Sequence, residues 1–321
     1  MIQAPLSELR YPFPSAINED AKEIHVESVE WARRLGLVTT AEAYEKALEG
    51  RLGWLAGYFH PTAGREKLRL ISDWCAWMFL RDDLVDDANF FRHPERLASL
   101  DTRFLDILRG ADPAKEDYAL SAAIANLRER LRPEVPAALW MRRFIRSVKE
   151  HFDSTLWESI NRARGIVPDL ATYNRMRPIT GGMDVDTNFI EIATGIYLPP
   201  EVHGHRVVSS MTRISSLSIC WMNDLFSLQK ELARGDVHNI VLIIQNQEGL
   251  TLDEAIKKAV EMNEDEVRSF LELEKELPSF GPAIDGDLQK YVSILKTRMS
   301  GNLDWSMESA RYKTFTTEGR F

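Results

Sequence analysis

The sequence predicts an all-α protein, one domain of helices packed around a common interior. Three observations lead there. Apolar residues recur at helical spacing along nearly the whole chain, from Ile24 to Trp305. Gly and Pro punctuate that pattern at short intervals, which leaves connections of only a few residues. No stretch reads as a strand long enough to build a sheet, and the short apolar run at 240–244 fits a buried helix. The chain has 321 residues and 44% hydrophobic content, enough for a substantial core. It shows no internal repeat and no linker, so 1–321 reads as a single domain. A break near residues 165–168 is the alternative, although either half would then hold only part of the chemistry below.

Residues 1–18 contain Pro5, Pro12 and Pro14, which exclude a regular helix. With Tyr11 and Phe13 they read as an extended N-terminal arm with aromatic anchors. Helical periodicity begins near Asp20 and runs through Ile24, Val29 and Trp31 to a stop at Gly36. Thr39 and Glu42 have capping-box spacing and start a helix that ends near His60 and Pro61. The next helix is apolar on nearly every face, from Leu68 to Leu80, and should be buried. It ends in Asp82, Asp83, Asp86 and Asp87, four carboxylates within six residues. Acids at the end of a buried helix are either solvated or paired with a counter-charge, a divalent cation included. Residues 89–94 read as a loop. Two helices flank 110–113, and a long one runs from 134 to about 163. A short helix over 169–177 stops before Pro178. Thr180, Gly181 and Gly182 then interrupt a helical region that resumes over 183–196. Helices follow from 207 to about 233, from the Thr251–Glu254 capping box to about 277, and from about 285 toward Tyr312.

The formal net charge of −9 argues against a nucleic-acid partner, which needs a basic face. It leaves room for an anionic ligand bridged to acids by metal ions. Cys75 and Cys220 lie in apolar helical stretches and read as core thiols of a reducing compartment. No signal peptide opens the chain and no apolar stretch approaches the roughly 20 residues of a membrane span, so the expectation is a cytoplasmic protein without membrane insertion. The chain shows no catalytic Ser-His-Asp or Cys-His constellation, no NTPase phosphate loop and no zinc spacing. His203 and His205 read as solvated loop residues.

Asn223, Ser227 and Glu231 are spaced i, i+4, i+8 and form one narrow stripe on a helix. An amide oxygen, a hydroxyl and a carboxylate are hard ligands suited to Mg²⁺. The turns before them, with Leu217, Ile219, Trp221 and Met222, are strongly apolar, so a merely solvated polar face fits poorly. Lys230 lies beside the stripe.

With both acidic sets in view, the chain resembles the class I terpene synthases, bacterial type. Asp82 to Asp87 is similar to their aspartate-rich motif, and Asn223, Ser227 and Glu231 to their second metal motif. Arg177, 46 residues before Asn223, stands where that family keeps a diphosphate-sensing arginine, and Arg311-Tyr312 matches its diphosphate-contacting pair. The resemblance spans essentially the whole chain. It implies the class I terpenoid synthase fold, a helical bundle around a central apolar cavity. It also implies three Mg²⁺ ions, with Mn²⁺ able to substitute, held by Asp82, by Asp86 or Asp87, and by the Asn-Ser-Glu triplet. The substrate would be a prenyl diphosphate, farnesyl diphosphate first and geranylgeranyl diphosphate second. Ionisation and cyclisation would follow, with release of diphosphate. Arg177, Lys230, Arg311 and Tyr312 would contact the diphosphate, and Asp83 would pair with Arg177 on closure. The Gly181 carbonyl would face the substrate, and Phe79 and Trp305 would stabilise carbocations. Thr180 departs from the family, which commonly has an acid there. A homodimer is left open. A chain-elongating prenyl diphosphate synthase would need a second aspartate-rich motif where this chain has the triplet, and a non-catalytic helical binding protein would not need both ligand sets.

Overall fold

A computed structural model describes residues 9–85, 93–134 and 138–312. Among these the regular structure is α-helix with two short 3-10 turns, and no strand occurs. The helices in chain order are α1 (Ala21–Arg34), α2 (Ala41–Gly50), α3 (Leu52–Phe59), α4 (Arg65–Val85), α5 (Pro94–Arg109), α6 (Ala119–Leu131) and α7 (Ala138–Arg164). After them come α8 (Leu170–Thr180), α9 (Met183–Thr194), α10 (Pro200–His203), α11 (Arg206–Arg234), α12 (Ile240–Glu248), α13 (Leu252–Lys275) and α14 (Pro282–Glu308). The chain divides into two compact units. The first comprises Ile17–Gly165 and Gly182–Thr194, and the second Met1–Ala16, Ile166–Gly181 and Gly195–Phe321. No described helix is long and apolar enough to cross a membrane.

The first unit is built on α4. Leu68, Ile71, Trp74 and Trp77 are buried in one core with Phe104, Phe144, Phe152 and Phe189. Burying each such side chain contributes about 1.5–3 kcal/mol. The Trp77 indole N–H donates to the Leu120 carbonyl (2.9 Å), so its one polar atom is satisfied. The expected helix from Thr39 to His60 is two helices. Its cap is Thr40, whose hydroxyl accepts from the Ala43 N–H (3.1 Å), one residue later than the capping-box spacing predicts. Arg51 then adopts a left-handed conformation (φ 51°) that separates α2 from α3. The break lets the Gly53 backbone press on α1: a Cβ at Gly53 would sit 2.6 Å from the His25 Cα. His25 bridges the break, with Nε2 donating to the Leu48 carbonyl (2.9 Å) and Nδ1 accepting from the Gly53 N–H (3.3 Å). Arg132–Glu134 forms a 3-10 turn, and the long helix expected from 134 is described from Ala138 as α7.

The second unit packs α8, α11, α12 and α13 around Tyr173, Leu217, Trp221, Leu225, Leu228, Ile243 and Ile256. The arm expected at 1–18 is without helix over its described residues. Leu9 and Phe13 are buried, and Tyr11 shares a hydrogen-bond triangle with Ser218 (2.8 Å) and Asn263 (3.0 Å). The Thr251–Glu254 capping box forms as predicted. The stop before Pro178 does not hold, since α8 continues to Thr180. Pro178 lacks an N–H for the Asn174 carbonyl, but only one turn lies beyond it. That turn is closed by the Gly181 N–H and the Thr180 hydroxyl, both donating to the Arg177 carbonyl (2.8 and 3.1 Å). His203 and His205 are not solvated loop residues. His203 lies in α10 and meets the Tyr291 ring edge-on (5.7 Å), and the His205 Nδ1 accepts from the Val207 N–H to cap α11. Cys75 and Cys220 are both free thiols.

Candidate functional site

In the first unit, α4 delivers Asp82 and Asp83 at its C-terminal end. Both are exposed, the Asp82 side chain by 50%, so solvent or a cation can reach them. Asp86 and Asp87 lie outside the described residues. What anchors this end is Arg81, which is fully buried. Its guanidinium makes a two-point pair with Asp101 (2.9 and 2.7 Å), donates to the Thr155 hydroxyl (3.0 Å) and lies 4.2 Å from the centroid of the Phe152 ring. Nη1 reaches the neighbouring Asp82 (3.5 Å). Burial raises the pKa of Asp101, and the charge of Arg81 opposes that rise. The chain thus fixes the helix end with a buried ion pair and leaves the next two acids facing outward. Phe79, one turn earlier, is half-buried.

In the second unit, α11 carries Asn223, Ser227 and Glu231 on one face, and the structure brings Arg177 of α8 to them. The Arg177 Nη2 donates to the Asn223 Oδ1 (3.0 Å). Ser227 donates to the Glu231 Oε1 (2.7 Å), and the Asn239 amide donates to the Glu231 Oε2 (2.6 Å). Glu231 is pushed up to about 7, first by burial of its carboxyl and then by the charge of Asp224, against the two hydrogen bonds. Burial disfavours the charge of Arg177, whose side chain is 14% exposed, yet Asp224 together with Cys220 and Tyr173 offsets this and holds the guanidinium well above its usual range. Gly181, the C-cap of α8, lies against this cluster. Its φ of −75° is ordinary, so the space around it is what requires glycine: a Cβ would meet the Cys220 Sγ at 2.7 Å and the Arg177 Nη1 at 3.0 Å.

Lys230 is half-buried on α11 beside Glu231. Arg311 stands in the 3-10 turn Ala310–Tyr312, where its N–H donates to the Ser309 hydroxyl (3.2 Å). The side chain of Tyr312 lies outside the described residues. Trp305 is fully buried in α14. Asp224, Tyr173 and Asn239 were missed by the sequence reading. Asp224 is fully buried and takes four donors. An acid within the apolar run from Leu217 to Leu228 was the available signal.

The donor set fits a hard divalent cation. Amide, hydroxyl and carboxylate oxygens share a helix face, and a carboxyl held near 7 is one that an added positive charge would ionise. Among the described residues no three His, Cys, Asp or Glu side chains converge to hold a metal, so this set depends on its amide and hydroxyl.

The fold is that of known structures. The crystal structure of a-eudesmol synthase superimposes with a TM-score of 0.83 over 94% of this chain and 99% of the other, at 20% identity. Residues 73–269 match the family model described as terpene synthase family 2, C-terminal metal binding. The (+)-T-muurolol synthase of Roseiflexus castenholzii, described as cyclizing (2E,6E)-farnesyl diphosphate, is 37% identical over 95% of this chain and 93% of its own. Germacrene A synthase of Nostoc punctiforme is 33% identical over 94% of this chain and 93% of its own. The chain belongs to the terpene synthase family.

Proposed function

We propose that the protein is a sesquiterpene cyclase that ionises farnesyl diphosphate with the help of Mg²⁺ and closes the resulting cation to a terpene hydrocarbon or alcohol. The observation that carries the reading is the cluster of Asn223, Ser227 and Glu231 with Arg177 bonded to one of its oxygens. The name of one similar protein specifies farnesyl diphosphate, and another is named sesquiterpene synthase 1. The two units are read as one catalytic domain.

Magnesium, held by Asp82, by Asp86 or Asp87, and by the Asn223-Ser227-Glu231 set, would neutralise the charge that develops on the departing diphosphate. The chain's own residues do the rest. Arg177 presents a planar set of donors to phosphate oxygens, and Lys230, Arg311 and the Tyr312 hydroxyl add further donors. Asp83 is assigned as the acid that pairs with Arg177 on closure. The end of α8 leaves the Gly181 carbonyl free of an i+4 partner within its own helix, and its negative end would draw positive charge off the substrate. Phe79 and Trp305 would lend aromatic faces to carbon cations. The departed diphosphate would take the final proton, so no side-chain base is required.

The test is incubation of the purified protein and Mg²⁺ with farnesyl diphosphate and, separately, geranylgeranyl diphosphate. Pyrophosphate release and mass spectrometry of the extract are the readouts. A C15 product from farnesyl diphosphate is expected. A product only from geranylgeranyl diphosphate would reassign it as a diterpene synthase, and a longer diphosphate formed with added isopentenyl diphosphate would make it a chain-elongating enzyme. No pyrophosphate from either substrate would leave a non-catalytic binding protein.

A further inference from the structure

Arg177 presents three nitrogens, and a guanidinium on a flexible stem is useful to a phosphate only when its plane is fixed. Asp224 fixes it. The Oδ1 of Asp224 accepts from the Arg177 Nε (2.9 Å) and Nη2 (2.8 Å). Its Oδ2 accepts from the Tyr173 hydroxyl (2.5 Å) and from the Ile240 N–H (3.1 Å) in the first turn of α12. The two donors on Oδ2 prevent the carboxylate from turning, so the orientation of Oδ1, and with it the plane of Arg177, is set by α12 and Tyr173.

The same residue reaches the other functional group. The Asp224 backbone carbonyl accepts from the Asn239 Nδ2 (2.7 Å), and that amide also donates to the Glu231 Oε2 (2.6 Å). The Asn239 Oδ1 accepts from the Val241 N–H and so caps α12 (2.9 Å). Asn239 must therefore donate twice and accept once, which an aspartate cannot do. One chain of hydrogen bonds, Arg177 to Asp224 to Asn239 to Glu231, joins the arginine to the carboxylate.

We propose that Asp224 is the positioning residue of this site, holding Arg177 in the plane that receives a diphosphate and, through Asn239, setting the Glu231 carboxylate beside it. The inference rests on the diphosphate reading of the site. Asp224 itself is placed against neither substrate nor metal; its carboxylate acts through Arg177 and its backbone carbonyl through Asn239.

The test is a double-mutant cycle on Asp224→Asn and Arg177→Ala, read by calorimetric binding of inorganic pyrophosphate in Mg²⁺ and by kcat and KM on farnesyl diphosphate. Asp224→Asn is expected to lower pyrophosphate affinity and kcat by about 30-fold or more, the loss typical when one member of a buried charge pair is removed. In the Arg177→Ala background the same change should cost less than about threefold, because there is no arginine left to aim. A purely structural role would instead give losses that multiply. Tyr173→Phe, which removes one donor from Oδ2 and keeps both charges, should lower pyrophosphate affinity about fivefold and also lose its effect without Arg177. It decides the question if Asp224→Asn does not fold. Multiplying losses, or an Asp224→Asn protein that binds and turns over within about threefold of the wild type, would overturn the proposal. A wild type that binds no pyrophosphate in Mg²⁺ would overturn the diphosphate reading itself.

Discussion

Replacing Gly181 by alanine adds one methyl group at the junction of α8 and α11. The new Cβ would stand 2.7 Å from the Cys220 Sγ, 3.0 Å from the Arg177 Nη1 and 3.2 Å from the Arg177 carbonyl. The first distance lies about 1 Å inside ordinary contact. Backbone strain does not enter, because Gly181 has φ −75°. The cost is overpacking, about 1–3 kcal/mol. With an unfolding entropy of about 2.1 cal/mol/K per residue over 321 residues, that is a fall of about 1.5–4.5 °C in Tm if the chain unfolds in one transition. Turnover should fall further than stability, by about 100-fold, since the methyl displaces both the Gly181 carbonyl and the Arg177 guanidinium. Cys220→Ala removes the nearest obstacle at a cost of about 1 kcal/mol. The double variant Gly181→Ala, Cys220→Ala should therefore be more stable than the two single effects predict, by about 1 kcal/mol. Differential scanning calorimetry and steady-state pyrophosphate release supply both readouts. A single variant that melts within half a degree of the wild type, or a double variant no better than additive, would refute the steric reasoning.

Arg81→Met leaves Asp101 buried without its counter-charge, and about 3–5 kcal/mol of stability should be lost, seen as an earlier urea midpoint. A loss under 1 kcal/mol would mean that the pair does not hold the end of α4. His25 has its pKa lowered, by burial first. Its Nδ1 already accepts from Gly53, so a second proton would break that bond. The unfolded chain thus takes up the proton first, so the contribution of His25 to stability is fully present above about pH 6.5 and is lost as pH drops below it. Glu231, pushed up to about 7, gains stability over the same range, so the readout is a difference: between pH 7.5 and 5.5 the melting temperature of the wild type should fall relative to that of His25→Gln. Asn223→Leu should abolish pyrophosphate release while the protein melts as a folded chain, and near-normal product yield would remove Asn223 from the metal set.

The helices were legible because apolar spacing is local, and Val207 to Ala233 is as clear in the sequence as α11 is in space. One-residue choices were not. Thr39 and Thr40 both suit an N-cap, and only the hydroxyl's approach to the Ala43 N–H selects the second. The rule that proline ends a helix misjudged Pro178, since its cost is small when a single turn remains. Asn223, Ser227 and Glu231 could be read from periodicity because they share a stripe. Asp224 points elsewhere, and its partners Tyr173 and Arg177 lie 51 and 47 residues away in the sequence. Arg81 met the same limit: followed by two acids it reads as a surface charge, and only the fold supplies Asp101 and Thr155 to bury it.

The Tyr11–Ser218–Asn263 triangle has a consequence for biosynthesis. Tyr11 leaves the ribosome 252 residues before Asn263. At about 5–20 residues per second that is a wait of about 13–50 s. The first unit has most of its chain in one continuous stretch and can condense in the meantime. Leu9 and Phe13, buried at the end, must stay uncovered throughout. The segment around Tyr11 is thus made well before the partners it docks on, and a nascent chain released before residue 263 exposes apolar anchors to chaperones and proteases.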